Sequence, residues 1–249
     1  MNSANYCNVQ STKSWLTILN GETMRKKRLV IVRHGNTFKK GETPTRVGAR
    51  TDLPLVERER SEKAAEFLKT NNAVPERIFA APLKRTMETA GIIKETLHVS
   101  SEIEPASEFT EIDYGPDENC TEEAVANRLG RYYLELEGAP STDGAAMAAR
   151  GELALKAWND EAIVPFGWRV DVQAIIDSWK RFAESIPEGG TYMIVSSNGI
   201  IRFAPHIARI GFEEFRKQRP LKVATGGVCV FDRDDSGWEC VAWNGEPFA

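Results

Sequence analysis

The chain has 249 residues, 41% of them hydrophobic, enough to bury one sizeable core, so a single domain or a domain with a small cap is the default architecture. Its 32 basic and 36 acidic residues leave a formal charge of -4, which gives no general attraction to nucleic acid or an anionic membrane and requires any phosphate site to be locally basic. Cys7, Cys120, Cys229 and Cys240 lack CxxC spacing and are too sparse for a disulfide framework, and no apolar run reaches membrane-spanning length, so a soluble, cytoplasmic protein is expected.

Residues 1–23 are polar and aperiodic and read as a flexible extension ahead of a single domain over 24–249 that begins in earnest near Arg28. Leu29-Val30-Ile31-Val32 is a β-branched apolar run of the kind buried on both faces of a sheet, and it stops at the polar Arg33-His34-Gly35. A loop from Asn36 to Pro54 follows, then a helix with Ala64, Ala65, Phe67 and Leu68 on its apolar side. Arg77 to Ala81 reads as a second strand, and Leu83 to Leu97 as a helix with Pro82 at its start and Arg85 and Thr89 in its early turns.

Residues 111–168 carry two short helices, Thr121 to Leu136 and Ala148 to Trp158, separated by a weak linker, and read as a helical cap inserted into the domain. Val172, Ile175, Ile176, Trp179, Phe182 and Ile186 recur at helical spacing before a strand over Thr191 to Ser196, and Gly199 to Ile210 is expected to resume as helix. Val223 to Phe231 and Trp238 to Trp243 flank a turn as a hairpin, which makes the chain α/β with antiparallel strands at its end.

The chemistry is concentrated at Arg33-His34-Gly35, which sets an imidazole and a guanidinium at the carboxyl end of a buried strand, where open α/β sheets build ligand sites. Taken alone the tripeptide fits a structural histidine equally well. Three further segments accompany it. Arg33-His34-Gly35-Asn36-Thr37 resembles the RHGxT opening of the histidine phosphatase superfamily, and Ala81-Pro82-Leu83-Lys84-Arg85 with Glu88-Thr89-Ala90 resembles its SPLxRxxQTA element. Thr110-Glu111-Ile112-Asp113-Tyr114-Gly115 is similar to its acidic segment, and Val195-Ser196-Ser197-Asn198-Gly199-Ile200-Ile201-Arg202 to its VSHGGxIR element. Their order and spacing extend the resemblance over about residues 28 to 245.

The resemblance implies a three-layer α/β/α fold with a mostly parallel central sheet, phosphoglycerate mutase-like, carrying a small helical insertion. It implies that His34 attacks phosphorus and becomes phosphohistidine, that Arg33 and Arg85 hold the phosphoryl oxygens, and that Glu111 serves as general acid and then base, with Asp113 as the alternative. Asn36, Ser197 and Asn198 would add hydrogen-bond donors to the phosphate. His34 must then be neutral, with one ring nitrogen free and the other donating to a backbone or carboxylate acceptor.

Ser197 stands where the family usually has a second phosphate-binding histidine, and loss of one such donor typically costs a factor of about 100 to 1,000. Arg202, Arg50, Arg46 and Lys40 are candidate replacement cations, whereas His98 and His206 read as structural. Glu59 also occupies a place where the family often has Gly, and Pro116-Asp117-Glu118-Asn119 replaces its common WEG. The expected function is a metal-independent phosphomonoesterase acting on a small soluble phosphate ester such as a sugar phosphate. Nothing resembles a metal cluster or dinucleotide loop, so no cofactor is expected. The alternative is a phosphate-ligand-binding regulatory protein with little or no turnover.

Overall fold

The computed structural model describes residues 26–247 together with the pairs 18–19 and 22–23. Those pairs, β1 (Ile18–Leu19) and β2 (Glu22–Thr23), form a small antiparallel ladder. The rest of the expected extension over 1–23 lies outside the described residues.

Among the described residues the main sheet has seven strands, and its centre is β3 (Lys27–Arg33). In chain order the other elements are α1 (Glu59–Thr70), β4 (Arg77–Ala80), α2 (Lys84–Leu97), β5 (Ile103–Pro105), α3 (Glu122–Leu136), α4 (Gly144–Glu161), α5 (Val172–Ser185), β6 (Thr191–Ser196), α6 (Asn198–Ile201), α7 (Phe212–Gln218), β7 (Val228–Asp234), β8 (Gly237–Trp243) and β9 (Glu246–Pro247). The strand order is β5-β4-β6-β3-β7-β8-β9. β3, β6, β4 and β5 pair in parallel; β7 returns antiparallel to β3, and β8 and β9 continue as antiparallel neighbours. Strands β5, β4, β6, β3 and β8 therefore run one way, and the sheet is mostly parallel.

The apolar run of β3 explains the layers. Successive side chains of a strand point to opposite faces. Val30 and Val32 accordingly pack with Ala64, Ala65 and Leu68 of α1 and Ala90 and Ile93 of α2. Leu29 and Ile31 pack on the other face with Phe109, Trp179 of α5, Phe203 and Phe215 of α7. This is the expected three-layer α/β/α arrangement, with every residue from Leu29 to Val32 fully buried.

Between β5 and α5 lies the helical pair α3 and α4. Thr121 caps α3 by accepting from Ala124 N at 3.2 Å, and Asp143 caps α4 by accepting from Ala145 N at 3.0 Å. The two helices touch backbone to backbone. A Cβ placed on Gly130 would lie 1.7 Å from Met147 O, and one on Gly151 would lie 1.8 Å from Ala126 O.

Two expectations are corrected. Gly199 to Ile210 is not a continuous helix: α6 ends at Ile201 and a separate 3-10 turn covers Ala204–Ile207. Pro205 lacks an amide donor and disfavours helical geometry at the residue before it, which accounts for the break. The hairpin strand expected from Val223 starts only at Val228. Gly226, at φ +75, turns the chain so that its amide donates to the carbonyls of Arg33 and His34, and 223–227 becomes a wall at the end of β3.

Candidate active site

His34 follows the last residue of β3, and its amide donates to Ser196 O at 3.1 Å, extending the ladder to the end of β6. Its Nδ1 lies 2.7 Å from Gly35 O. A carbonyl can only accept, so Nδ1 carries the proton and the lone pair of the neutral ring is on Nε2. Burial, then the nearby Arg85 and Arg33 charges, push the imidazole pKa down to about 3, so the ring is neutral in ordinary buffers. The Gly35 amide donates to Thr89 Oγ1 at 3.0 Å, and that hydroxyl donates to Arg85 O at 2.7 Å, which fastens the turn after His34 to the first turns of α2.

Arg33 and Arg85 approach from two sides. Arg33 Nη1 donates to Val223 O at 2.5 Å; Arg85 Nη1 and Nη2 donate to Thr51 O at 2.8 Å and Gly48 O at 3.2 Å. Burial lowers the pKa of both, an effect opposed chiefly by the charge of Glu111. Guanidinium groups remain cations under such shifts. Nε of Arg33 and Nε of Arg85 are buried without a partner among the described residues, and so is Ser197 Oγ.

Glu111 is buried, with Oε1 accepting from Ile112 N at 2.9 Å and Oε2 from Gly199 N at 3.3 Å. Burial raises its pKa, and the two amides together with Arg85 and Arg33 oppose the rise. Gly199 is required by this approach, because a Cβ there would lie 2.2 Å from Glu111 Oε1. Asp113 is placed differently. It faces Arg50 at 3.0 Å and Arg169 at 3.5 Å and does not line the cleft.

Arg33, His34, Asn36, Glu111, Tyr114 and Asn198 line one cleft of about 650 Å³. Asn36 Oδ1 accepts from Thr225 Oγ1 at 2.6 Å and Asn198 Oδ1 from Val223 N at 2.9 Å, so both amides brace the 223–227 wall. Arg85 and Ser197 have no exposed surface and sit behind the lining. Among the candidate cations, Lys40, Arg46 and Arg202 reach the cleft. Arg50 does not; it is tied to Asp113 and to Gly115 O. His98 is the left-handed cap after α2 and His206 stacks on Phe212 with centroids 4.0 Å apart, both away from the cleft.

Two supports were not foreseen: the sequence named Arg46 only as a candidate replacement cation, and it gave no sign of the backbone contacts that hold the arginines. Arg46 lies over the rings of Tyr114 and Trp168, at 5.0 and 4.7 Å, and fixes one flank of the cleft. The carbonyls of Gly48, Thr51 and Val223 hold the arginines, and no side-chain pattern signals such contacts because every residue carries a carbonyl. Among the described residues no group of three or more His, Cys, Asp or Glu is arranged to hold a metal, and no helix is long and apolar enough to cross a membrane.

The family model of the histidine phosphatase superfamily (branch 1) matches residues 29–246. The chain belongs to that superfamily. No curated protein matches it significantly in sequence. Solved structures share the superfamily fold at low identity. A mycobacterial glucosyl-3-phosphoglycerate phosphatase is 17% identical with a TM-score of 0.60, over 88% of this chain and 99% of its own. The α-ribazole phosphatase of Shigella flexneri is 16% identical at 0.60, over 89% and 98%. A phosphoglycerate mutase from Bacillus anthracis is 15% identical at 0.61, over 90% and 94%.

Proposed function

We propose that the protein is a metal-independent phosphomonoesterase of the cytoplasm, acting on a small soluble phosphate ester through a phosphohistidine on His34. The observation that carries this reading is one cleft lined by a neutral histidine whose Nε2 is free, by Arg33 and by the buried Glu111, with the charge of Arg85 felt at the ring from behind the lining. Nε of Arg33 is buried without a partner among the described residues, which costs roughly 1 to 3 kcal/mol, and a phosphoryl oxygen would satisfy it.

In the first half-reaction His34 Nε2 forms a bond to phosphorus as the bond to the leaving oxygen breaks, and protonated Glu111 gives its proton to that oxygen. The raised pKa of Glu111 suits it to hold the proton. In the second, Glu111 takes a proton from water as the water oxygen bonds to phosphorus and His34 departs. Arg33 and Arg85 carry the phosphoryl charge in both. The phosphatases among the structural neighbours favour hydrolysis, and a sugar phosphate is the substrate class we expect. The burial of Ser197 in place of a cation favours a second reading, a phosphate-binding regulator with little turnover.

The test is phosphate release from aryl and sugar phosphates in chelator-treated buffer, with the phosphoenzyme sought by intact-mass measurement without acid quenching. Wild type should turn over and His34→Ala should not, while remaining folded. Glu111→Gln should lose about 100-fold or more on a sugar phosphate and much less on a nitrophenyl ester, whose leaving group needs no proton. A His34→Ala variant as active as wild type would falsify the mechanism; binding without turnover in wild type would select the regulator.

A further inference from the structure

Arg202 faces two cavities. Beyond the cleft that holds His34, a second hollow of about 490 Å³ is lined by Asn159, Asp160, Asn198, Arg202, Arg216 and Lys222, among others. Asn159, Asn198 and Arg202 line both, so the two spaces share a boundary. The chain makes them adjacent through one short segment: Val223, whose carbonyl accepts from Arg33 and whose amide donates to Asn198 Oδ1, directly follows Lys222. A ligand group on the Lys222 side of that segment is therefore next to the phosphoryl pocket.

The hollow is electropositive. Arg202 is buried, with Nη2 donating to Trp158 O at 3.2 Å, its plane over the Trp158 ring at 4.9 Å, and Nε without a partner among the described residues. Arg216 adds a second guanidinium, anchored through Nη1 on Asp160 O and 3.4 Å from Glu213. Lys222 is exposed, and its ammonium has no partner among the described residues. The acid of this lining, Asp160, is already paired with Lys156. A buried arginine with an orphan donor, a second arginine and a free ammonium are an arrangement for an anion.

We infer that Arg202, Arg216 and Lys222 form a second anion seat, and that the preferred substrate is a phosphate monoester carrying a further anionic group, a carboxylate or second phosphate, which lies there while its phosphoryl group faces His34. This rests on the phosphatase reading and specifies its substrate class. Arg216 and Lys222 line this hollow and not the cleft of His34, so they select the ester without taking part in bond breaking. Attraction of this kind acts before chemistry, so it lowers KM and leaves kcat nearly unchanged.

The experiment uses the full chain and non-hydrolysable ligands, so that binding is read separately from turnover. Methylphosphonate, phosphonoacetate and methylenediphosphonate are titrated calorimetrically into wild type, Lys222→Glu and Arg216→Ala, with nitrophenyl phosphate hydrolysis measured alongside. Wild type should bind the two doubly anionic ligands at least about tenfold more tightly than methylphosphonate, with the gap closing at high salt. Lys222→Glu should remove most of that preference, Arg216→Ala should reduce it by roughly fivefold, and methylphosphonate affinity should hold in both. A larger effect with methylenediphosphonate than phosphonoacetate would name a second phosphate as the group, and the reverse a carboxylate. Equal wild-type affinity for all three ligands would overturn the seat and leave the phosphoryl pocket standing. A preference that survives both substitutions would also overturn it, placing the second group against Lys39, Lys40 or Arg46 instead. Failure to bind any phosphonate would overturn both the seat and the phosphatase reading.

Discussion

His34 shows how burial and charge act on one residue. Its pKa of about 3 lies below the 6.5 of an exposed imidazole because protonation would set a buried cation between Arg85 and Arg33. Between those values the unfolded chain binds a proton that the folded chain does not, so stability falls as pH drops through that window. At pH 5 the difference amounts to about 2 kcal/mol relative to neutral pH. Glu111 acts in the opposite sense: its raised pKa makes the folded state the tighter proton binder, so its contribution is lost as pH rises above the ordinary carboxylate range. The His34 effect can be isolated by replacement with an uncharged side chain. Chemical denaturation at pH 7 and pH 5 should show wild type losing about 2 kcal/mol more than His34→Gln over the same interval. Equal losses would mean that His34 titrates normally, and with it would go the case for a permanently neutral nucleophile. Ser197 was legible in the sequence as a position in a motif, but only the fold shows its hydroxyl buried and without a partner among the described residues.

At the scale of elements, glycines set how closely helices meet. Gly151 of α4 lies against Ala126 O of α3, whereas Gly91 of α2 has nothing within 4 Å of where a Cβ would stand. Alanine is the better helix former by about 1 kcal/mol at either position. Gly91→Ala should therefore raise the melting temperature by roughly 2 to 4 °C. Gly151→Ala must push the α3 and α4 backbones away from each other, and the packing loss of about 1 to 3 kcal/mol or more should outweigh the propensity gain and lower it. If both substitutions stabilise, α3 and α4 are not in the contact described. The periodic helices were legible in sequence, because an apolar stripe of helical period has one way to be buried, and β3 was legible because a short β-branched run apolar on both faces suits the interior of a sheet. β5 was not: Ile103–Pro105 has too few residues for any period to show and takes its shape from its parallel pairing with β4. The helix expected past Gly199 failed at Pro205, where a local rule outweighs an apolar pattern that serves the core equally well from a 3-10 turn.

Across the whole molecule, the parallel strands deliver His34 and Ser197 to one edge of the sheet, and the α3–α4 pair must be held over that edge. Asp117 does the holding. It is 1% exposed and accepts from Arg128 Nε at 2.5 Å and Nη2 at 2.6 Å on α3, and from Trp168 Nε1 at 2.7 Å after α4. Its neighbour Glu118 accepts from Gly48 N at 3.1 Å and Thr51 Oγ1 at 2.5 Å, the loop whose carbonyls anchor Arg85. The segment Pro116–Asn119 thus joins the helical pair to the arginine behind the nucleophile. Removing Asp117 leaves the Trp168 indole without an acceptor and the Arg128 guanidinium with Phe166 O alone, and breaking an ion pair whose acid is buried costs about 3 kcal/mol. Asp117→Ala should lose that stability and, because Trp168 supports Tyr114 and Arg46 at the cleft, should raise KM severalfold with a smaller change in kcat. Adding Arg128→Ala should cost little more, since its partner is already gone, giving a coupling of about 1 to 3 kcal/mol in a double-mutant cycle. Additive losses would mean that the two side chains act separately. An unchanged KM beside a lowered stability would show that the helical pair folds against the sheet without shaping the cleft.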